Sequence, residues 1–156
     1  MPVAVATGLL FLYSRHMNIK VKKLHLGAQI PNIAHAGDAG FDLYCVESVT
    51  VEPKQRVQVA VGLAFEIPLG YVGLVWDKSG ISHKAGIKTL GGVLDSGYRG
   101  ELKVGLINLS SEAYTFEKGH KVAQMLIQKI ESPIFEEVVE LSDTSRGEGG
   151  FGSTGK

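Results

Sequence analysis

The chain has 156 residues, of which 44% are hydrophobic and 21% are charged, so it has the size and composition of one globular domain and not of a disordered chain. The 16 lysine and arginine residues balance the 16 aspartate and glutamate residues, which argues against a nonspecific nucleic-acid binder, and no nucleic-acid partner is expected. The single cysteine, Cys45, excludes an intrachain disulfide and a cysteine-rich zinc site and is compatible with a reducing cytoplasm, where we expect the protein.

Residues 3–13 form an almost wholly apolar run. The run is too short to span a bilayer, and it lacks the preceding positive region of a signal peptide, so no membrane partner is expected. The sequence from Met17 onward resembles an ordinary protein start. Residues 1–16 are therefore interpreted as a non-native or upstream extension, and residues 17–141 as a single domain.

Short runs of alternating apolar and polar residues dominate that domain, and this period is typical of β-strands. The sequence predicts strands at residues 57–61, 72–76, 102–106 and 125–130. Turn-forming proline and glycine residues lie between them, at positions 53, 68, 70, 97 and 119. Many short strands with frequent turns indicate an all-β sandwich or barrel.

One short helix is predicted from Ser79 to Ala85, with Gly86 as its stop. The preceding Asp77-Lys78 pair brings a cation to the start of this helix, where free N–H groups can bind an anion. A surface turn with a helix cap is the alternative for this segment. Residues 136–141 are ambiguous between strand and helix.

Asp95 lies within residues 91–100, which are predicted to form a strand, a tight hairpin and a strand. A carboxylate at a hairpin can belong to a site or can be an ordinary turn former. The five histidines are not paired at metal-ligand spacing, and no Ser-His-Asp nucleophile pattern stands out.

The last eleven residues, 146–156, contain five glycines, one aromatic residue and a cation at each end. Gly150 to Lys156 has most of the spacing of a P-loop, but the Ser or Thr and the helix that follow the lysine in a true P-loop are missing. The segment is either a mobile Gly-rich terminus or a nucleotide-binding tail. Phe151 and Arg146 favour the tail, because simple linkers contain few aromatic residues.

Taken together in chain order, five segments resemble the five motifs of the trimeric dUTPase family. They are residues 39–43 (AGFDL), 78–80 (KSG), 92–100 (GVLDSGYRG), 119–124 (GHKVAQ) and 146–155 (RGEGGFGSTG), so the resemblance covers roughly residues 18–156. It implies a homotrimer of all-β, jelly-roll-type (β-clip-like) subunits, each with one short helix, and three shared active sites. The implied reaction is the Mg²⁺-dependent hydrolysis of dUTP to dUMP and pyrophosphate, which limits uracil incorporation into DNA and supplies dUMP for dTMP synthesis.

The resemblance assigns the third segment to catalysis and to nucleoside recognition. Asp95 matches the general base that activates a water to attack the α-phosphorus. Tyr98 matches the aromatic residue that packs under the deoxyribose and excludes a 2′-hydroxyl. Main-chain groups of the same segment, at Gly92, Val93 and Leu94, are expected to bind uracil, because glycine lets the backbone come close to a ligand.

The first, second and fourth segments are assigned to the phosphates and the metal. Lys78, Ser79 and Gly80 match the phosphate-binding second motif, and Gln124 matches the glutamine that contacts the phosphate region. Asp42 matches the aspartate that is linked to Mg²⁺ through water, with the ion held mostly by the three phosphates.

Two of the segments depart from the family pattern. Lys78 stands where the family usually has arginine, so the charge is kept but the bidentate fork is lost. His120-Lys121 replaces the more common Asp-Arg pair, which leaves the local ion pairing open.

Residues 142–156 are expected to form a flexible C-terminal lid. Phe151 would stack over uracil, and Arg146, Ser153 and Thr154 would engage the γ-phosphate, with Gly152 also in contact with the substrate. Closure of the lid would exclude bulk water and align the triphosphate for in-line attack.

Two rival functions are open to the same motifs. A dCTP deaminase shares the expected fold, but the position of its catalytic glutamate is taken here by Gly105, which cannot transfer protons. A non-catalytic nucleotide sensor would be favoured by loss of Asp95, Tyr98 or the tail, and all three are present.

Overall fold

A computed structural model describes residues 17–150 of the protein. In this range the chain forms eleven β-strands and one helix, so the prediction of an all-β chain with one short helix is confirmed. The strands are β1 (Lys20–Lys23), β2 (Gly40–Tyr44), β3 (Val49–Val51), β4 (Arg56–Ala60), β5 (Leu63–Glu66), β6 (Tyr71–Trp76), β7 (Ile87–Leu90), β8 (Val93–Asp95), β9 (Lys103–Asn108), β10 (Tyr114–Phe116) and β11 (Lys121–Lys129), and the helix is α1 (Ser79–Ala85).

The strands pair antiparallel in four sheets. A four-stranded sheet has the order β2-β11-β6-β8, a three-stranded sheet has the order β4-β9-β7, and β1-β5 and β10-β3 are two-stranded. The long strand β11 is central in the first sheet, with β2 on one side and β6 on the other. The four predicted strands correspond to β4, β6, β9 and β11, of which β11 begins four residues before the predicted start at 125.

The alternating pattern builds the core. Along β9, Val104 and Leu106 are buried while Lys103 is exposed, as expected for a strand with one face toward the interior. Side chains from all the sheets meet in one apolar cluster, in which Val51, Phe116, Ala123 and Met125 are completely buried. Burial of each large apolar side chain of this kind stabilises the fold by about 1.5–3 kcal/mol.

Asn108 is the buried polar side chain of the described core. Its Nδ2 donates to the carbonyl oxygens of Val51 at 2.9 Å and Glu112 at 2.7 Å. Its Oδ1 accepts from the backbone N–H of Ser110 at 2.9 Å and from the Ser110 hydroxyl at 2.7 Å. All four hydrogen-bonding positions of the amide are thus filled, and they join the end of β9 to β3 and to the following turn.

The predicted hairpin over residues 91–100 is wrong. A turn is present, since the Tyr98 N–H donates to the Asp95 carbonyl at 3.1 Å, but β8 pairs with β6 and β7 pairs with β9. The chain therefore passes from one sheet to the other at Gly91-Gly92, where φ is 69° and 107°. A Cβ at Gly92 would lie 2.7 Å from the Val75 carbonyl oxygen, so only glycine fits this crossing.

The helix has its predicted limits. Gly86 ends α1 in the left-handed conformation, with φ 66°, and its N–H donates to the Ser82 carbonyl. Between residues 131 and 150 the chain contains neither a strand nor a helix, so the ambiguous segment 136–141 is neither of the predicted alternatives. No helix among residues 17–150 is long and apolar enough to cross a membrane.

Candidate active site

The predicted site residues divide between two cavities on the subunit. The first, named here the Lys78 cavity, has a volume of about 680 Å³ and is lined by Asp42, Lys78, Ser79, Lys121 and Gln124 among others. The second, the Asp95 cavity, has a volume of about 530 Å³ and is lined by Gly92, Val93, Leu94, Asp95 and Tyr98 among others. Within the part of the chain that the structure describes, the two cavities share no lining residue.

Strand order builds the Lys78 cavity. Gln124 on β11 lies opposite Asp42 on β2 and opposite Trp76 on β6, so the first, second and fourth segments meet at one level of the sheet. The Gln124 side-chain nitrogen donates to the Asp77 carbonyl at 2.8 Å. This bond joins the central strand to the short connection between β6 and α1.

Asp42 is at the centre of the charges in the Lys78 cavity. Lys78 Nζ lies 2.5 Å from its Oδ1 and Lys121 Nζ lies 2.7 Å from its Oδ2, while only 13% of the Asp42 side chain is exposed. Burial raises the pKa of Asp42, but the hydrogen bonds and charges of Lys121 and Lys78 together outweigh it and hold the pKa below its ordinary value of 3.8. The ionised carboxylate therefore holds two ammonium groups at the cavity.

Ser79 and Gly80 open the helix. Ser79 is exposed and lines the Lys78 cavity. Gly80 is exposed next to it, with open space where a Cβ would stand, and does not line the cavity. Lys78 is the N-cap residue in an extended conformation, and no side chain caps the helix there.

Asp77 is a residue of this site whose contacts the sequence does not reveal. Its Oδ1 accepts from the Thr89 N–H and the Thr89 hydroxyl, both at 2.7 Å, and its Oδ2 pairs with Lys88 Nζ. Burial raises the pKa of Asp77, but these hydrogen bonds and the Lys88 charge hold it below the ordinary value of 3.8. In the sequence Asp77 is only a turn residue, and nothing marks Thr89, 12 positions later, as its partner.

Other lining residues of the Lys78 cavity were also missed by sequence reasoning. His35 and Asp38 form a pair with 3.2 Å between Nδ1 and Oδ2, and His83 on α1 lies at the same cavity. Trp76, the one tryptophan of the chain, is 53% exposed there. Asp38 and Trp76 lie close to the segments at 39–43 and 78–80, so their position in the sequence could have pointed to the site.

The Asp95 cavity presents an exposed carboxylate and an exposed aromatic ring. Asp95 ends β8 and is exposed, and Tyr98 is 47% exposed three residues later. The Tyr98 hydroxyl donates to the Glu101 carbonyl at 3.1 Å, which fixes the ring over Gly100. A Cβ on Gly100 would lie 2.4 Å from that hydroxyl, so glycine is required for this ring position.

The remaining third-segment residues differ in what they offer a ligand. Val93 is 68% exposed, whereas the Leu94 side chain belongs to the core with 7% exposed. The side chain of Leu94 is therefore occupied by packing, and its main chain pairs with Gly73 of β6. Gly92 contributes its carbonyl to the Val75 N–H at 2.7 Å.

The structure gives a reason for His120 at a position that departs from the family pattern, and for Gly105 at the position of the deaminase glutamate. His120 Nδ1 accepts the Glu117 N–H at 3.1 Å, which is a turn contact that an aspartate carboxylate could also make. Gly105 lies opposite Leu90 in the sheet, and a Cβ at this position would lie 2.9 Å from the Leu90 carbonyl oxygen. A glutamate at this position would therefore require the neighbouring strand to move.

Only the first part of the predicted lid falls within the described residues. Arg146 is exposed, and its Nε donates to the Gly149 carbonyl at 2.7 Å. Phe151, Gly152, Ser153 and Thr154 lie outside the described residues, so their predicted substrate contacts stay predictions.

The chain matches known proteins over most of its length. The family model described as dUTPase matches residues 27–155. A deoxyuridine 5'-triphosphate nucleotidohydrolase of Rhodococcus erythropolis is 46% identical over 145 residues, which cover 91% of this chain and 88% of that protein. A protein of the same name from Clostridium kluyveri is 48% identical over 141 residues, covering 89% of this chain and 99% of that protein.

Solved structures agree with the family match. The dUTPase of Staphylococcus bacteriophage 80alpha with dUPNHPP has a TM-score of 0.85 and 32% identity, and the match covers 89% of this chain and 99% of that one. A mutant dUTPase from phage phi11 of S. aureus, described with a structural Mg(II) ion, has a TM-score of 0.77 and 27% identity over 81% of this chain and 100% of that chain. The predicted jelly-roll-type fold is confirmed, and with a family model that spans residues 27–155 the chain belongs to the dUTPase family.

Proposed function

We propose that the protein hydrolyses dUTP to dUMP and pyrophosphate, with a water activated by Asp95 attacking the α-phosphorus. The observation that carries this proposal is the meeting of Asp42, Lys78, Ser79 and Gln124 around one cavity, in a chain whose relatives at 46% and 48% identity are named deoxyuridine 5'-triphosphate nucleotidohydrolases. The cavity that holds Asp95 and Tyr98 supplies the remaining chemistry.

The Lys78 cavity suits the triphosphate. The ammonium groups of Lys78 and Lys121 lie within 2.7 Å of the Asp42 carboxylate. A triphosphate offers these two cations several negative charges in place of the single charge of Asp42. The Ser79 hydroxyl and the second N–H of the Gln124 amide are further donors for phosphate oxygens. Phosphoryl transfer depends mostly on positioning and charge neutralisation, and these groups provide both.

The residues present fit a Mg²⁺ ion that is held mainly by the substrate phosphates and binds together with them. Among residues 17–150 no three His, Cys, Asp or Glu side chains cluster as a metal cage, and Mg²⁺ is usually held by one or two carboxylates, substrate phosphates and water. Asp42 keeps free lone pairs beside its two lysine bonds, so it can accept hydrogen bonds from metal-bound waters. Bound Mg²⁺ would neutralise charge on the triphosphate.

The Asp95 cavity suits the nucleoside and the attacking water. The exposed Asp95 carboxylate can take a proton from water as the new P–O bond forms. The Tyr98 ring would lie under the deoxyribose and leave no room for a 2′-hydroxyl. Main-chain groups of Gly92, Val93 and Leu94 would pair with uracil, since the Leu94 side chain is buried.

The division between two cavities supports a homotrimer with shared sites. One nucleotide has to reach both the Lys78 cavity and the Asp95 cavity, yet the two have no lining residue in common in the described chain. We propose that the two cavities of one site come from different subunits. Large exposed apolar side chains in the segment after β11 support subunit contacts, among them Ile134 at 97%, Phe135 at 91% and Val139 at 100% exposed.

The lid over residues 142–156 completes the proposal. Phe151 would cover uracil, and Arg146, Ser153 and Thr154 would bind the γ-phosphate, with Gly152 close to the ligand. Closure would remove bulk water from the reacting phosphorus. In the cell this activity would limit uracil in DNA and provide dUMP for dTMP synthesis.

The deciding experiment is pyrophosphate release from dUTP by the purified protein, with UTP and dCTP as controls. We expect turnover of dUTP alone and loss of turnover when Mg²⁺ is chelated. Release of ammonia from dCTP would instead identify a deaminase, and binding of dUTP without turnover would identify a sensor. Light scattering should give the mass of three chains; a stable monomer with full activity would contradict shared sites.

A further inference from the structure

Asp77 connects three elements at the edge of the Lys78 cavity. It lies between the last residue of β6 and the N-cap residue of α1. Its carboxylate accepts two bonds of 2.7 Å from Thr89 and pairs with Lys88, both on β7. Its carbonyl oxygen accepts the Gln124 amide of β11 at 2.8 Å. Only 18% of the side chain is exposed.

The segment that follows is short and only partly packed, with Ile81 and Ala85 half-buried against the core. The helix α1 has seven residues, none of them buried, and no side chain caps its start. An isolated helix of this length is not stable by itself, so its position depends on its connections. The side chain of Lys78 bonds to Asp42 on β2, and this bond restrains the ammonium group rather than the main chain.

We infer that Asp77 is a positioning residue of the triphosphate site, which fixes the main chain of Lys78 and Ser79 by bonding it to β7. This inference rests on the proposed function, because it assigns the Lys78 cavity to the phosphates. Asp77 does not need to touch the substrate. It acts through Lys78 and Ser79, whose donors must lie within hydrogen-bonding distance of the phosphate oxygens, about 2.7–3.2 Å.

The Asp77 carboxylate positions the segment mainly as a hydrogen-bond acceptor and less through its negative charge. Two of its contacts come from neutral donors of Thr89, which an asparagine Oδ1 can also accept, whereas an alanine leaves the partly buried Thr89 N–H without a partner. A displacement of about 1 Å of a positioned group can reduce catalysis by up to about 100-fold. We therefore expect a large effect from Asp77→Ala and a small one from Asp77→Asn.

The test separates the two halves of the ligand. Inhibition of dUTP hydrolysis by pyrophosphate probes the Lys78 cavity, and inhibition by deoxyuridine probes the Asp95 cavity. Asp77→Ala should raise the inhibition constant of pyrophosphate by about tenfold or more and leave that of deoxyuridine within about twofold of wild type. Asp77→Asn should bring the inhibition constant of pyrophosphate back to within about threefold of wild type. Glu66→Ala, which breaks the remote exposed pair with Lys20 of 2.8 Å, is the matched control and should change neither constant.

The outcomes are separable from those of the proposed function. If the wild type does not hydrolyse dUTP, the proposed function fails. If it does, and Asp77→Ala weakens both inhibitors equally or neither, the positioning role is overturned. If Asp77→Ala does not fold, the same two inhibition constants are measured for Thr89→Val. This variant removes the bond from the Thr89 hydroxyl to Asp77 Oδ1 and keeps the Asp77 carboxylate. A selective weakening of pyrophosphate by about threefold supports the inference, and unchanged constants overturn it.

Discussion

Asp42 and Lys78, 36 positions apart in the sequence, form a 2.5 Å ion pair at the cavity that we assign to the triphosphate. The same carboxylate binds Lys121 at 2.7 Å. Two positive charges this close together repel each other, and Asp42 is what allows both to remain near one another in the free enzyme. Substrate phosphates can take over that role, so the cation pair is already assembled before the nucleotide binds.

This arrangement predicts a strong effect of Lys78→Met on substrate affinity. A charge-assisted hydrogen bond to phosphate contributes about 1.5–3 kcal/mol, so KM for dUTP should rise by about tenfold or more while the fold is retained. Steady-state kinetics measure the change, and Lys84→Met, at an exposed position of the same helix, is the control. Equal KM values for the Lys78→Met and Lys84→Met variants would contradict a phosphate contact.

The ion pairs of Asp42 also predict how stability depends on pH. Because the pKa of Asp42 lies below 3.8 in the folded chain, the unfolded chain binds more protons as the solution is acidified. The contribution of Asp42 is therefore full above pH 3.8 and is lost as the pH falls through the lower folded value. The difference in unfolding free energy between wild type and Asp42→Asn should shrink between about pH 6 and pH 3 in denaturant titrations, and a difference that grows on acidification would disprove the ion pairs.

Asn108 is predicted to be important for stability and not for catalysis. Its replacement by leucine leaves the Val51 carbonyl and the Ser110 N–H without the Asn108 amide, while the Glu112 carbonyl keeps its bond from the Ser110 hydroxyl. Each lost partner of a buried group costs about 1–3 kcal/mol, so unfolding free energy should fall by about 2–5 kcal/mol. Urea denaturation measures the loss, and Thr115→Ala, which breaks an exposed bond to Thr50, should cost about 1 kcal/mol or less.

Local patterns located four of the eleven described strands, β4, β6, β9 and β11, but not their partners. Alternation along β4 and β9 follows from burial of one face, so it is visible in the sequence. Along β6 burial does not alternate, since Val72, Gly73 and Val75 are buried and Trp76 is exposed. The hairpin predicted around Asp95 does not form. The prediction is wrong because a strand-turn-strand pattern does not reveal which sheet each strand joins. Pairing of β8 with β6 and of β7 with β9 is decided by contacts far along the chain.

The candidate site shows the same limit. Asp42, Lys78 and Gln124 were predicted through their motifs, and the strand order brings them together. In the sequence Asp77 is only a turn residue, because its hydrogen bonds with Thr89 join ordinary residue types at no recognisable spacing. The separation of the motifs between two cavities is not visible in the sequence either, because each motif is a continuous segment and does not show which cavity it lines.

Asp95→Asn tests the assignment of the general base. The amide keeps the size of the side chain but cannot accept a proton from water, so kcat for dUTP should fall by about 100-fold or more while KM changes little. Glu112→Gln, at another exposed carboxylate, is the control for loss of one negative charge. Turnover of Asp95→Asn within about threefold of wild type would show that the base assignment is wrong.

Deletion of residues 146–156 tests the lid. These residues follow a stretch, 131–145, that has no strand or helix in the described structure, so their loss should leave the folded β domain intact. If Phe151 covers uracil and Arg146 binds the γ-phosphate, turnover of dUTP should be nearly abolished, while the thermal midpoint and the trimer mass stay at their wild-type values. Phe151→Ala alone should raise KM, because stacking on one base contributes about 1–3 kcal/mol. Melting or dissociation of the shortened protein would instead identify the tail as a structural element of the trimer, and the loss of activity would then have to be explained through assembly rather than through closure over the nucleotide.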